Sequence, residues 1–154
     1  VDLGGGAVFE VLGPSAQLVK EGNVKGYKHD PNNESVVGRL VFGDFSMMLT
    51  GDAEKKEEQA ILAADSANVK STILKSGHHG SKTSSTADFL RAVRPEAALI
   101  SCGVNNDYGH PHKETMKKYH ALNIPIYVTA ENGTITVTSD GKTYKIVPER
   151  GEKQ

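Results

Sequence analysis

The sequence predicts an α/β architecture on three observations. Short apolar runs alternate with helical patterns, glycine-containing turns separate them, and two strictly alternating segments close the chain around Asp140-Gly141. Ala7 to Leu12 is the first strand, stopped by Gly13-Pro14. Val1 to Gly6 ahead of it is expected to be loop, and Gln17 to Asn33, polar and carrying Gly22, Gly26 and Pro31, a linker-like insertion. Ser35 to Phe42 and Phe45 to Thr50 are two strands joined tightly through Gly43-Asp44. From Ala53 to Ala64 the period becomes helical: Ala53, Ala60, Ile61 and Ala64 line one stripe, and Glu54, Lys55, Glu57 and Glu58 are expected to face water.

Val69 to Leu74 is again a strand. Ser85, with Asp88 three residues on, has the spacing of a capping box for a helix through Val93. Ala97 to Ser101 and Ile126 to Thr129 are strands, and between them Pro111 is placed as the first residue of a helix running to about Leu122. Thr134 to Thr138 and Thr143 to Val147 form the closing hairpin.

The composition bounds what this chain can be. At 154 residues there is room for one domain, here residues 1–148 followed by a charged tail, 149–154, expected to fray. Eighteen basic against nineteen acidic residues leave a formal charge of -1, so no overall basic field points to nucleic acid. A local stripe of Lys70, Lys75, Lys82, Arg91 and Arg94 is either a phosphate-tracking surface or a solvated face. No apolar run reaches the roughly 20 residues of a membrane span. Cys102 is the single cysteine, which excludes an internal disulfide and a cysteine-cluster zinc site. It is set aside as a small buried hydrophobe.

Chemistry-bearing residues gather just past three predicted strands, where α/β folds place their sites. The clusters are Leu49-Thr50-Gly51-Asp52, Gly77-His78-His79-Gly80-Ser81, and Asn105 through His112. Asp52 is either a helix N-cap or a carboxylate at a strand tip able to bridge metal ions. His78 and His79 stand between two glycines, and neutral imidazole pairs with carboxylate around zinc. Ser81, Lys82, Thr83 and Ser84 lead into a helix start, as ordinary capping chemistry or as a phosphate cradle. His110 is either a poor cap or a group facing Asp52 and His78, binding substrate or moving a proton. Asn105 and Tyr108 could hydrogen-bond a phosphate. His29 and His120 are read as solvated bystanders.

These three motifs, in this order and spacing, resemble the metallo-β-lactamase-fold domain of ComEC-type competence proteins from about Ala7 to Val147. The resemblance implies an αββα sandwich holding one or two divalent metals, zinc or manganese. It also implies a phosphodiester hydrolase, in those proteins a nuclease acting on one strand of incoming DNA, and a location at the cell envelope or outside it. By motif position Asp52 corresponds to the family's bridging aspartate, His78 to its next metal histidine with His79 the alternative, and His110 to its Gly-His-Pro element, with a role in catalysis or substrate contact.

One departure is large. The family's His-x-His-x-Asp-His element should lie upstream, yet no histidine precedes His29. The chain is therefore expected to supply the C-terminal half of the domain, its apolar sheet surface covered by the N-terminal half or by a second copy of the chain. The expected activity is metal-assisted phosphodiester hydrolysis on single-stranded DNA. The alternatives are hydrolysis of a small ester or phosphodiester, and a non-catalytic binding or assembly module.

Overall fold

The computed structural model describes residues 1–22, 30–65 and 68–151. Seven strands form one sheet whose spatial order follows the chain: β1 (Asp2–Gly4), β2 (Ala7–Gly13), β3 (Val37–Phe42), β4 (Phe45–Leu49), β5 (Ile73–Lys75), β6 (Ala97–Ile100) and β7 (Ile126–Val128). β1 to β4 are antiparallel, and β4 to β7 are parallel. The switch follows from the connections. A two-residue turn at Gly43-Asp44 reverses the chain between β3 and β4, whereas a parallel partner needs a crossover long enough to hold a helix. Three such crossovers carry α2 (Lys55–Asp65), α3 (Ala87–Val93) and α4 (Lys113–Ala121). A short helix α1 (Ala16–Gly22), two 3-10 turns (Pro31–Glu34 and Gly77–Gly80), a one-turn helix α5 (Thr129–Asn132) and the hairpin β8 (Ile135–Ser139) with β9 (Tyr144–Pro148) complete the described elements. This mixed sheet with helices is consistent with the metallo-β-lactamase fold the motifs suggested.

The strand period of two sorts the core into two layers. Ala98 and Ile100 of β6 face the helices and join Val37, Met48, Leu74, Ile126 and Val128 against Ile61, Phe89, Leu90, Val93 and Tyr119. Ala97 and Leu99 face the other way with Phe45 and Ile73, and the hairpin covers them with Ile135, Val137, Tyr144 and Ile146. The chain thus covers the centre of its own second face. Val1, just ahead of β1, and Leu3, Val8 and Val11 on the first two strands stay exposed.

Several expectations give way, each for a physical reason. Val1 to Gly6 is not all loop: β1 pairs with β2, and the Phe9 amide donates to the Val1 carbonyl at 2.8 Å. Ala16 to Gly22 is a helix rather than part of an insertion, with the Ser15 hydroxyl accepting from the Leu18 amide; 23–29, including His29, lie outside the described residues. Ladder pairing of β5 begins only at Ile73, because the backbone from Lys70 to Thr72 bonds Arg39, Val93 and Glu96 instead. The cap of α3 is Thr86, whose hydroxyl accepts from the Phe89 amide at 3.3 Å, while Ser85 turns aside in a left-handed conformation. α4 starts at Lys113, after Pro111 rather than on it. The tail is fastened through Arg150: the amides of Glu149 and Arg150 donate to the carbonyls of Thr134 and Asn132. Residues 152–154 lie outside the described set.

The largest correction concerns α2. Glu57 and Glu58, expected in water, are buried, at 0% and 1% exposed, whereas Ala64, expected inside, is exposed. Glu58 is buried because it has work there: its carboxylate accepts from the amides of Ser85 and Thr86 at 2.6 and 2.9 Å. Burial raises its pKa, and those amides hold it back only in part. Glu57 has no such partners among the described residues, and burial pushes its pKa up to about 7. The nearby Ser35 amide favours its charged form but lies outside hydrogen-bonding geometry.

Candidate functional site

The C-terminal ends of β4, β5 and β6 open onto one side of the sheet, and the loops that follow bring the three motifs together. After β4 the chain turns at Thr50-Gly51 and presents Asp52, half-buried, before α2 begins. Asp52 does not cap that helix, which starts at Lys55. Other groups serve the helix's free amides: the Thr83 carbonyl accepts from Lys55 N at 3.1 Å, and the buried Asn33 Oδ1 accepts from Glu57 N at 3.1 Å. The Asp52 carboxylate is thereby left for other chemistry, with its own amide tied to Ser35 Oγ at 3.1 Å.

After β5 the chain makes an unusual turn. His78 and His79 are both left-handed, at φ 46° and 54°, a conformation that costs non-glycine residues about 1–2 kcal/mol each. Gly80 permits the turn to close. At φ 81° it needs no Cβ, and a Cβ there would stand 2.8 Å from that of Pro111. Ser81 N to the His78 carbonyl (2.8 Å) and His112 N to the Gly80 carbonyl (3.0 Å) lock the turn against the third loop.

The two imidazoles are used differently. His79 Nδ1 lies 2.7 Å from the Ser101 carbonyl, which can only accept, so Nδ1 carries the hydrogen and Nε2 is bare in the neutral ring. That Nε2 faces Asp52 Oδ1 at 3.4 Å. His78 Nδ1 instead meets Glu54 Oε1 at 3.0 Å, and the same Glu54 oxygen accepts from the Thr83 hydroxyl at 2.7 Å. Of the adjacent pair, His79 rather than the favoured His78 therefore stands against Asp52.

Two acceptor atoms that face each other across 3.4 Å call for a cation between them, either a proton or a metal. Ligands bound about 2.0–2.1 Å from tetrahedral zinc stand roughly 3.3 Å apart, so the spacing and the donor types suit such an ion. A backbone carbonyl holding the far nitrogen is also the usual support of a ligating histidine. The donor count stops short. Among the described residues no three His, Cys, Asp or Glu side chains are grouped to hold a metal, and catalytic zinc takes three protein ligands.

The third loop brings His110 alongside, its ring 5.5 Å from His78 and 6.2 Å from His79. Partial burial first, and then the neighbouring imidazoles of His112, His78 and His79, push its pKa down. His112 sits 4.8 Å from His110 in an edge contact, with its Nδ1 accepting from the Lys82 amide at 3.0 Å. Asn106, which sequence reasoning passed over, clamps this loop. Its Nδ2 donates to the carbonyls of Gly103 and His110, and its Oδ1 accepts from His110 N. Asn105 and Tyr108 are exposed, and Tyr108 stacks on His110 at 5.7 Å and 18°.

The phosphate cradle expected at Ser81 to Ser84 does not form. Ser84 is fully buried and donates to the Ala53 carbonyl at 2.7 Å, Ser81 is buried against Thr83, and Glu58 takes the loop's amides at Ser85 and Thr86. Only Lys82 and Thr83 stay exposed, and the Thr83 hydroxyl is spent on Glu54. Lys75 is not part of a surface stripe but half-buried beside Asp52. Burial lowers its pKa, and the Asp52 carboxylate raises it in part. Arg91 pairs with Asp88 at 3.0 Å, and His120 is exposed on α4. Glu54 was legible only as a helix-face acid, although it follows Asp52 by two residues at the strand tip.

Comparison with known proteins gives one family model and several relatives. Residues 8–104 match the model of the metallo-beta-lactamase superfamily. The chain is 41% identical over 130 residues to ComE operon protein 3 of Bacillus subtilis, covering 82% of this chain and 15% of that protein. Competence protein ComA of Neisseria gonorrhoeae is 36% identical over 130 residues, covering 84% of this chain and 18% of that protein. Recombination protein 2 of Haemophilus influenzae is 35% identical over 132 residues, covering 86% and 15%. The chain thus spans under a fifth of the length of these relatives. No solved structure matches. Among the described residues, no helix is long and apolar enough to cross a membrane.

Proposed function

The chain belongs to the metallo-beta-lactamase superfamily, and from that premise we propose that it carries part of the active site of a metal-dependent phosphodiester hydrolase, a nuclease of the DNA-uptake type. The observation that carries the reading is the 3.4 Å approach of His79 Nε2 to Asp52 Oδ1, with His79 Nδ1 held by the Ser101 carbonyl. Relatives named for competence and recombination favour DNA over a small ester as the substrate.

In this reading Asp52 and His79 each give one donor to a divalent ion, zinc or manganese. Bound there, the ion would supply Lewis acidity and a water whose pKa falls to about 7. The Ser101 carbonyl keeps His79 in its ligating tautomer, and Glu54 fixes the orientation of His78 beside it. Lys75 offsets the charge of Asp52 and draws the phosphodiester inward. His110, on the loop beside the pair and kept neutral by its lowered pKa, hydrogen-bonds the leaving oxygen. The remaining ligands come from outside the described residues, on the N-terminal part of the domain or on a second copy of the chain.

The test is hydrolysis of single-stranded DNA and of a small phosphodiester with added manganese or zinc, comparing the native protein with Asp52→Ala. Turnover that is metal-dependent and lost in the variant supports the reading; unchanged turnover removes Asp52 from it. A second reading, a non-catalytic binding module, is favoured by the incomplete donor set. It gains if neither substrate is cleaved and no metal binds.

A further inference from the structure

Beside the Asp52–His79 pair the third loop builds something that metal chemistry does not need. Three rings stand nearly parallel in sequence. Tyr108 stacks on His110 at 5.7 Å and 18°, and His110 on His79 at 6.2 Å and 23°. One end of the stack is the imidazole that faces Asp52. The other end is a tyrosine that is 77% exposed, far more than an aromatic ring needs to be beside a buried core. A cavity of about 210 Å³ opens along the stack, lined by His79, Cys102, Gly103, Asn106, Tyr108 and His110. That is smaller than the roughly 300–1,000 Å³ of pockets that enclose drug-sized ligands, and it suits one flat ring.

The tyrosine is also held in place. Asn106 ties the loop on both sides of it through Gly103 O, His110 O and His110 N, and the Gly109 amide donates to Asn106 O at 3.2 Å. A ring carried on a tied loop and already stacked on His110 has less freedom to lose when a ligand lands on it.

We propose that Tyr108, backed by His110, is a stacking platform for a nucleobase of a single-stranded nucleic acid. The backbone leads from that base to the Asp52–His79 pair. The inference deepens the hydrolase reading and rests on it for the phosphate end of the substrate. Stacking uses the π-face that every base has, so the platform selects single strands, whose bases are free, without selecting sequence. A duplex keeps its bases stacked on one another and offers none to Tyr108. The hydroxyl of Tyr108, which hydrogen-bonding arguments single out, is secondary here; the ring does the work.

Fluorescence anisotropy separates the outcomes, with labelled oligothymidylate and an abasic oligonucleotide of equal length as probes, in chelator so that nothing is cleaved. The native protein should bind oligothymidylate more tightly than the abasic strand. Tyr108→Ala should weaken oligothymidylate binding roughly 5- to 150-fold, toward the abasic level, the usual range for losing one base–aromatic stack. Tyr108→Phe should retain tight binding, and circular dichroism should show all three proteins equally folded. Equal affinity of the native protein for both strands, no binding of either, or no loss in Tyr108→Ala overturns the platform. Those results leave metal-dependent turnover by Asp52 to be judged on its own assay. Conversely, base-dependent binding without any hydrolysis keeps the platform and removes the hydrolase.

Discussion

His79 and Asp52, twenty-seven positions apart in the chain, meet with Nε2 and Oδ1 separated by 3.4 Å across the tips of β5 and β4. Parallel neighbours cause the meeting. Leu49 and Lys75 are paired in register at the ends of their strands, so whatever follows each is delivered to the same edge. The left-handed turn at His78-His79 then aims the second imidazole, not the first, at the carboxylate.

The turn is the fragile part of that delivery. Gly80→Ala would place a methyl 2.8 Å from Pro111 Cβ at a backbone angle, φ 81°, that L residues avoid. The expected cost is about 1–3 kcal/mol, read as a lower midpoint in urea unfolding, with metal affinity falling as well. A variant as stable as the native chain would mean the turn is not held as described.

Glu58 is the hidden support of the neighbouring loop. Glu58→Ala would leave the amides of Ser85 and Thr86 buried or half-buried without their acceptor. A loss of about 2–5 kcal/mol is expected in chemical denaturation, and Glu58→Gln, which keeps one acceptor oxygen, should lose less. Equal loss in the two variants would show that packing, not the amides, decides.

Glu57 makes stability depend on pH in the opposite sense from an ordinary paired carboxylate. Its folded pKa, about 7, lies above the ordinary glutamate value of 4.5. The folded protein therefore holds the proton more tightly, and stability falls as pH rises from about 4.5 through 7. The full penalty, on the order of 3 kcal/mol, is present above pH 7. Glu57→Gln should match the native chain near pH 4.5 and exceed it increasingly toward pH 8, a gain visible as a higher Tm. Parallel Tm profiles of the two proteins across that range would refute the assignment.

Much of this architecture could be read beforehand, and the misses share a cause. The strands β2, β3, β4 and β6 are visible as short apolar runs between turn residues, and the closing hairpin because a period of two survives in it. The three polar clusters are visible because they fall where strands end. What could not be read is which polar groups are spent on the fold. Glu57 and Glu58 look like a solvated helix face, yet they lie under the loops that precede β3 and α3. Ser81 and Ser84 look like phosphate ligands, yet the Ser84 hydroxyl donates to the Ala53 carbonyl and the Ser81 hydroxyl is engaged by the hydroxyl and amide of Thr83. His78 and His79 cannot be ranked by motif, since a pair of positive φ angles decides which ring faces Asp52.

X-ray absorption at the zinc edge of the zinc-loaded protein asks most directly whether Asp52 and His79 share an ion. The account predicts oxygen and nitrogen neighbours at about 2.0–2.1 Å with an imidazole contribution that His79→Gln diminishes and His78→Gln leaves intact. An imidazole signal untouched by His79→Gln, or removed by His78→Gln alone, would contradict it.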